Sequence, residues 1–93
     1  MRVLIIEDEE KTADYLHRGL SEQGFTVDLA RDGIDGLHLA LEGDYAVIVL
    51  DVMLPGLDGY GVLRALRARK QTPVIMLTAR ERGEDRIHGV RDG

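Results

Sequence analysis

Two short apolar runs decide the fold, and each is followed at once by acidic residues. Val3-Leu4-Ile5-Ile6 is followed by Glu7 and Asp8, and Val47-Ile48-Val49-Leu50 is followed by Asp51. Continuous runs of β-branched and aliphatic residues are typical of strands buried on both faces, as in a parallel sheet with helices on each side. The sequence therefore predicts an α/β fold with its chemistry beyond the carboxyl ends of the strands.

The three carboxylates at these strand ends predict a metal site. If the two strands are neighbours, Glu7, Asp8 and Asp51 converge at one edge of the sheet. Three like charges in close contact resist ionising together unless a hard cation shares them. Because the chain has no Cys and these acids have no adjacent His, the ligand set contains oxygen alone, which favours Mg²⁺ over zinc or copper.

Composition limits the class of protein. Ninety-three residues, of which 44% are hydrophobic, make one small globular domain rather than a disordered chain. The absence of Cys excludes a disulfide framework and fits a reducing, cytoplasmic environment. No secretory or membrane-spanning segment is expected, because the first apolar run ends in acid after four residues. A net charge of −5 disfavours nucleic acid or an anionic membrane as a direct partner.

The rest of the sequence alternates helices with strands. Helices are predicted over residues 9–23, 33–42, 59–69 and 82–92, and two further strands over 25–30 and 74–77. The strand 25–30 alternates apolar and polar residues, which favours a sheet edge. Ile34, Leu37 and Leu41 form the predicted apolar face of the second helix, and Asp58 is placed to cap the third. The order βαβαβαβα implies parallel strands joined by right-handed crossovers.

Three separated motifs carry a resemblance to a known family. Residues 51–59 read Asp-Val-Met-Leu-Pro-Gly-Leu-Asp-Gly, and Glu7-Asp8 and Thr78-Ala79 follow two other predicted strands. Together they resemble the receiver domain of two-component response regulators, and the resemblance covers residues 1–93 as a single domain. It implies a flavodoxin-like (CheY-like) doubly wound parallel sheet with the strand order 2-1-3-4.

The resemblance also implies roles for individual residues. Asp8, the Asp51 carboxylate and the backbone carbonyl of Met53 would ligate Mg²⁺, with Glu7 acting through water. This assignment leaves the Met53 side chain to ordinary packing. The resemblance makes the chain a signalling module rather than an enzyme.

Phosphoryl transfer is the activity that the resemblance implies. Asp51 would accept a phosphoryl group from a phosphohistidine on a sensor histidine kinase, as a carboxylate nucleophile. Thr78 would bond a phosphoryl oxygen and move inward on activation, and the amide of Ala79 would help to hold the same group. A loop with two states, biased by a new phosphate, is a known kind of switch.

Three longer segments resemble subclasses of these regulators. Residues 11–16 and 28–33 are similar to regulators with a winged-helix DNA-binding domain. Residues 35–45 are similar to members that serve heavy-metal (copper, zinc or cadmium) resistance. In such systems the kinase senses the metal, so no soft-metal site is expected, and DNA would be bound only through a domain that residues 1–93 do not contain.

The resemblance predicts an incomplete domain. Family members carry a Lys at the end of a fifth strand, followed by a fifth helix, and the sequence reaches Gly93 before either. We expect phosphotransfer to be severely slowed or undetectable without that Lys, because the transferred group would lose one fixed cation. The fourth strand would be an exposed edge, weakly covered by a last helix that contains Gly83 and Gly89. A homodimer or a domain-swapped oligomer through that strand and helix is therefore predicted.

Other interpretations explain less. A haloacid-dehalogenase-like phosphatase needs a second Asp two residues after the nucleophile, where Met53 stands. A stand-alone receiver that acts by protein contact, without DNA, is the closer alternative. His17, His38 and His88 lie on different predicted helices without ligand spacing, so solvated surface positions are expected for them.

Overall fold

The computed structural model describes residues 1–78 and 86–90. The helices in this part of the chain are α1 (Glu10–Glu22), α2 (Gly33–Glu42) and α3 (Gly59–Arg67). The strands are β1 (Arg2–Ile6), β2 (Thr26–Ala30), β3 (Val47–Asp51), β4 (Val74–Thr78) and β5 (Arg86–Val90). Among these elements, no helix is both long enough and apolar enough to cross a bilayer.

The strands form one sheet in the order β2-β1-β3-β4-β5. β1 lies between β2 and β3, and all pairs among the first four strands are parallel. The predicted doubly wound sheet with the order 2-1-3-4 is confirmed. The alternating strand β2 lies at one edge, as predicted from its period of two. This order places the ends of β1 and β3 side by side.

The prediction of a last helix is wrong for residues 86–90, the part of that segment that the structure describes. Residues 86–90 form β5, which pairs antiparallel with β4, from Thr78 opposite Arg86 to Val74 opposite Val90. Gly89 weakens a helix, whereas β-branched Ile87 and Val90 favour a strand, and β4 offers unpaired backbone groups to receive one. Residues 82–85, 91 and 92 of the predicted helix lie outside the described residues.

This pairing also corrects the predicted edge of the sheet. β4 is hydrogen-bonded to β3 on one side and to β5 on the other, so it is not an open edge. An exposed β4 therefore no longer supports the predicted oligomer. The oligomeric state itself remains a prediction.

The core occupies both faces of the sheet. Leu4, Ile6, Ile48 and Leu50 face α2 and α3 and are essentially inaccessible to solvent. Val3, Ile5 and Val49 face the other side, where Leu16 and Leu20 of α1 pack against them. The apolar runs in β1 and β3 are therefore buried on both sides, as their composition predicted.

The buried face of α2 differs from the predicted one. Its buried residues are Gly33, Gly36 and Ala40, whereas Ile34 is 64% exposed. A Cβ at Gly36 would lie 2.6 Å from two side-chain carbons of Ile6, so the helix approaches β1 more closely than a leucine face would allow. Leu37 and Leu41 are partly buried at the margin of this contact.

Polar contacts fix the ends of the helices. The Asp58 side chain accepts from the backbone N–H of Gly61 at 2.9 Å, which confirms the predicted cap of α3. Asp32 caps α2 in the same way through Asp35 N at 2.8 Å. At the other end of α2, Lys70 Nζ donates to the carbonyls of Ala40 at 3.1 Å and Gly43 at 2.8 Å. Lys70 thus joins the segment after α3 to the C-terminal end of α2.

Two glycines near the end of α1 should respond to alanine in opposite directions. Gly19 lies inside the helix, and a methyl group there would meet open space, so Gly19→Ala should stabilise the protein by about 1 kcal/mol. Gly24 has equal space but a φ of 97°, which L residues rarely adopt, so Gly24→Ala should destabilise it by about 1 kcal/mol. Urea unfolding of both variants tests the pair, and a shift of the same sign in both would contradict it.

Candidate functional site

The acidic residues converge as the sequence predicted. Ile6 lies opposite Leu50 in the pairing of β1 with β3, so Glu7 and Asp51 follow on neighbouring strands. One carboxylate oxygen from each of Glu7, Asp8 and Asp51 lies within 4.8 Å of the other two. Glu7 is 4% exposed and Asp51 is 5% exposed, while Asp8 is open to solvent. The site therefore combines two buried carboxyl groups with one accessible carboxylate.

Backbone amides hold the two buried carboxyl groups in place. Glu7 Oε2 accepts from the N–H of Glu9 at 2.9 Å, and Asp51 Oδ1 accepts from the N–H of Met53 at 3.2 Å. Glu7 N itself donates to the carbonyl of Ala30 at 3.0 Å, which ties the acidic turn to the end of β2. These contacts fix the carboxyl groups but supply no full positive charge.

Burial without a counter-charge raises the pKa of both groups. The pKa of Glu7 is raised to about 7, and burial is the largest cause. The hydrogen bond from the Glu9 amide lowers this pKa, whereas repulsion from Asp51 raises it. The pKa of Asp51 is raised as well, first by burial, while the Met53 amide and a hydrogen bond with Glu7 oppose the shift. Near neutral pH the pair therefore retains a proton that a cation could replace.

The donor set fits a hard divalent cation. The three grouped side chains offer oxygen ligands alone, and burial leaves their negative charge unbalanced. Among the residues that the structure describes, no other group of acidic, His or Cys side chains could hold a metal. Magnesium prefers such oxygen ligands and keeps several waters, which the exposure of Asp8 permits.

The structure describes the remaining residues of the predicted site, Met53, Thr78 and Ala79, only in part. Met53 is 61% exposed, so its side chain belongs to the loop surface rather than to the core. Thr78 ends β4, one residue beyond Leu77, which lies opposite Asp51. Ala79 lies outside the described residues.

One contact at the site was missed by the sequence interpretation. Arg31 directly follows β2, and its guanidinium donates to the backbone carbonyl of Asp8 at 3.3 Å. The sequence signal that could have indicated this contact is a basic residue directly after the strand that neighbours β1. His17 and His38 are exposed, as expected, and His38 Nε2 lies 3.4 Å from Oε1 of Glu42 on the same helix. His88 lies in β5 and not in the helix predicted for it.

The fold and site together define a class of signalling domain. A parallel sheet of order 2-1-3-4 presents a buried Asp at the end of its central strand, beside two further acids. The family model of the response regulator receiver domain matches residues 3–93. The chain belongs to this family and is a receiver domain of a two-component response regulator.

Named relatives are regulators of transcription. The chain is 53% identical over 93 residues to the transcriptional regulatory protein HprR of Escherichia coli K12 and 50% identical over 94 residues to CusR of the same strain. It is also 53% identical over 93 residues to the transcriptional activator protein IrlR of Burkholderia pseudomallei. All of this chain is covered in each case, but it spans only 41–42% of the length of these relatives.

Solved receiver domains share the fold. The Francisella response regulator 1452 receiver domain has a TM-score of 0.81 and 38% identity, over 89% of this chain and 69% of that one. The receiver domain of sensor histidine kinase PA1611 from Pseudomonas aeruginosa has a TM-score of 0.82 and 32% identity, over 89% of this chain and 70% of that one. That structure contains a magnesium ion coordinated in its active site cleft. Response regulator TrrA from Thermotoga maritima was solved in complex with Mg²⁺-BeF. It has a TM-score of 0.80 and 32% identity, over 86% of this chain and 70% of that one.

Proposed function

We propose that Asp51 accepts a phosphoryl group from a phosphohistidine of a sensor histidine kinase. The observation that carries the proposal is the position of Asp51. It is almost fully buried at the end of β3, and its carboxyl group lies within reach of Glu7 and Asp8. A carboxylate fixed in this way is a suitable nucleophile for a covalent phosphoryl intermediate.

The transfer exchanges one bond to phosphorus for another. An Asp51 carboxylate oxygen forms a bond to phosphorus while the bond from phosphorus to the histidine nitrogen breaks. The imidazole, already protonated on its other nitrogen, keeps the electron pair of the broken bond and leaves as a neutral ring. The Met53 amide, which donates to Asp51 Oδ1, orients the carboxylate and leaves its second oxygen for the attack. Deprotonation of Asp51 is required, and the proton shared with Glu7 must first leave the pair.

Mg²⁺ is the cofactor in this proposal. Asp8, Asp51 and the Met53 carbonyl would ligate it, and Glu7 would act through water. When bound, the ion neutralises the acidic cluster and the charge that develops on the transferred oxygens. Thr78 would donate to one phosphoryl oxygen and the Ala79 amide to another. The support for these roles is the oxygen-only cluster, together with the position of Thr78 beside the end of β3.

In the whole protein we propose control of transcription through a DNA-binding domain of the winged-helix class. The names of the relatives support this over a stand-alone receiver that acts by protein contact alone. Residues 1–93 would form one receiver unit that works in the cytoplasm. The similarity of residues 35–45 to heavy-metal resistance regulators supports a system whose kinase senses a metal.

Self-association is a separate part of the proposal. Among the described strands, β5 and β2 lie at the sheet edges, and β5 would offer backbone groups to a second copy. A homodimer or domain-swapped oligomer would therefore form at β5 rather than at β4. Sedimentation at micromolar concentration tests it, and a monomer throughout that range would contradict it.

Phosphorylation should depend on both Asp51 and Mg²⁺. With acetyl phosphate and Mg²⁺, any phosphoryl addition that intact mass detects should be very slow in the wild-type chain and absent from Asp51→Asn. Fluorine NMR with beryllofluoride, a phosphoryl mimic that needs no turnover, should show the same dependence. Asp44→Asn is the matched control, because Asp44 is exposed in the loop before β3. Equal labelling of wild type and Asp51→Asn would refute the proposal.

A further inference from the structure

A glycine of α2 supports the loop that leaves the candidate site. Residues 52–58 connect Asp51 to α3, and Gly33, the first residue of α2, is buried against Leu57 in this loop. A Cβ at Gly33 would overlap the carbonyl oxygen of Leu57 and would lie 2.8 Å from its carbonyl carbon. Because the crowding is with backbone, rotation of a side chain cannot relieve it.

The loop has little room to yield. The Leu57 side chain is partly buried against the core, and a Cβ at Gly61 would lie 2.6 Å from its Cδ1. At the far end of the loop, Gly59 N donates to Val52 O at 2.9 Å. A Cβ at Gly59 would overlap the Asp51 carbonyl oxygen and approach Val52 Cα to 2.8 Å. Leu57 is therefore held by α2, by the core and by the start of α3.

The loop carries the groups that orient the nucleophile. Its second residue, Met53, donates its N–H to Asp51 Oδ1, and Val52 N donates to Leu77 O at 3.2 Å. Because Leu57 and Met53 belong to the same short loop, a displacement at Leu57 would change the path of the chain toward Met53. A shift of even a fraction of an ångström there changes how Asp51 faces a metal ion or a phosphoryl group.

We propose that Gly33 is a positioning residue for the acidic site. The absence of a side chain at Gly33 lets Leu57 lie against α2, and this contact sets the path of the loop and the orientation of the Met53 amide and carbonyl. The inference rests on the proposed function, because its effect is felt through Mg²⁺ and phosphoryl binding.

Gly43 provides a matched control at the other end of the same helix. It is the C-cap of α2, and a Cβ there would also be crowded, at 2.7 Å from Cε2 of Tyr45, far along the helix from the loop. Both Gly33→Ala and Gly43→Ala should lower stability. Gly33→Ala should in addition weaken Mg²⁺ binding by about tenfold, whereas Gly43→Ala should leave it within about twofold of wild type.

The amide spectrum of the metal-free chain is the second readout. In Gly33→Ala the backbone signals of residues 51–58 should shift, including that of the Met53 N–H bonded to Asp51. In Gly43→Ala the shifts should centre on Tyr45 and its neighbours. Leu57→Ala adds no overlap and removes an anchor of the loop, so it should weaken Mg²⁺ binding in the same direction even if Gly33→Ala does not fold.

The outcomes separate this inference from the proposed function. If the wild-type chain does not bind Mg²⁺, or Asp51→Asn binds it equally well, the proposed function fails. The positioning role of Gly33 is tested only if the wild type binds Mg²⁺ and Asp51→Asn does not. It is then overturned if Gly33→Ala binds Mg²⁺ as tightly as the wild type. Should Gly33→Ala not fold, wild-type affinity in Leu57→Ala overturns it instead. Equal loss of affinity in Gly33→Ala and Gly43→Ala would also overturn it, because the effect would then be general to the helix.

Discussion

Asp8→Ala and Asp51→Asn should each lower the affinity for Mg²⁺ by about 10–100-fold or more. Each variant removes one charged oxygen ligand from a cluster whose carboxylate atoms lie within 4.8 Å. Isothermal titration of the metal-free chain at about pH 8 measures the effect directly, since most of the Glu7–Asp51 pair has then lost its proton.

A matched variant separates a ligand from general electrostatics. Asp14 lies on the exposed face of α1, so Asp14→Asn removes the same charge away from the cluster. Its Mg²⁺ affinity should stay within about twofold of wild type, because exposed distant charges are screened by salt. If all three variants lost affinity equally, the acids would act as a diffuse field and not as ligands.

The metal-free protein should become less stable as the pH rises from about 5 to about 8. The folded-state pKa of Glu7 is about 7, above its ordinary value, so the folded chain holds this proton more tightly than the unfolded chain does. The resulting loss of stability is absent below the pKa of Glu7 in the unfolded chain, grows as the pH rises and is complete above about pH 7. For Glu7 it amounts to about 2–3 kcal/mol, and the raised pKa of Asp51 acts in the same direction.

Two controls identify the source of this pH dependence. Glu7→Gln removes the titrating group but keeps a side-chain oxygen for the Glu9 amide, so its stability at about pH 8 should rise toward the value at pH 5. Saturating Mg²⁺ should likewise stabilise the wild type more at pH 8 than at pH 5. Urea unfolding at both pH values measures all of these. A Glu7→Gln variant with the slope of the wild type would show that other groups cause the dependence.

The sequence was most informative where composition and period agree. The apolar runs of β1 and β3 are typical of strands in a sheet covered on both sides, and the acids that follow them meet because β1 and β3 are neighbours. Helix caps were also predictable, because Asp58 stands at the start of a helix whose apolar face, Val62, Leu63 and Leu66, is regular.

The errors arise where local preference and tertiary contact compete. Residues 86–90 have a mixed propensity, and pairing with β4 makes them a strand. The apolar spacing in α2 indicated a leucine face, but the close approach to Ile6 selects glycine and alanine instead. Neither contact can be inferred from residues near in sequence.

Long-range polar contacts were equally invisible. The Tyr45 hydroxyl donates to Asp28 Oδ2 at 2.7 Å, and Arg2 forms an ion pair with the same carboxylate. Together they hold the pKa of Asp28 below its usual range, the Tyr45 bond being the larger cause. These residues come from three separate parts of the chain, and no spacing in the sequence relates them.

Lys70 gives α2 and α3 a second fixed point. Its ammonium group holds the carbonyls at one end of α2, while the contact of Gly33 with Leu57 holds the other end against the loop that leads into α3. A hinge motion between α2 and α3 would have to break one of these two contacts, so we expect the two helices to move together. A displacement that begins at Asp51 would then be accommodated elsewhere than between these two helices.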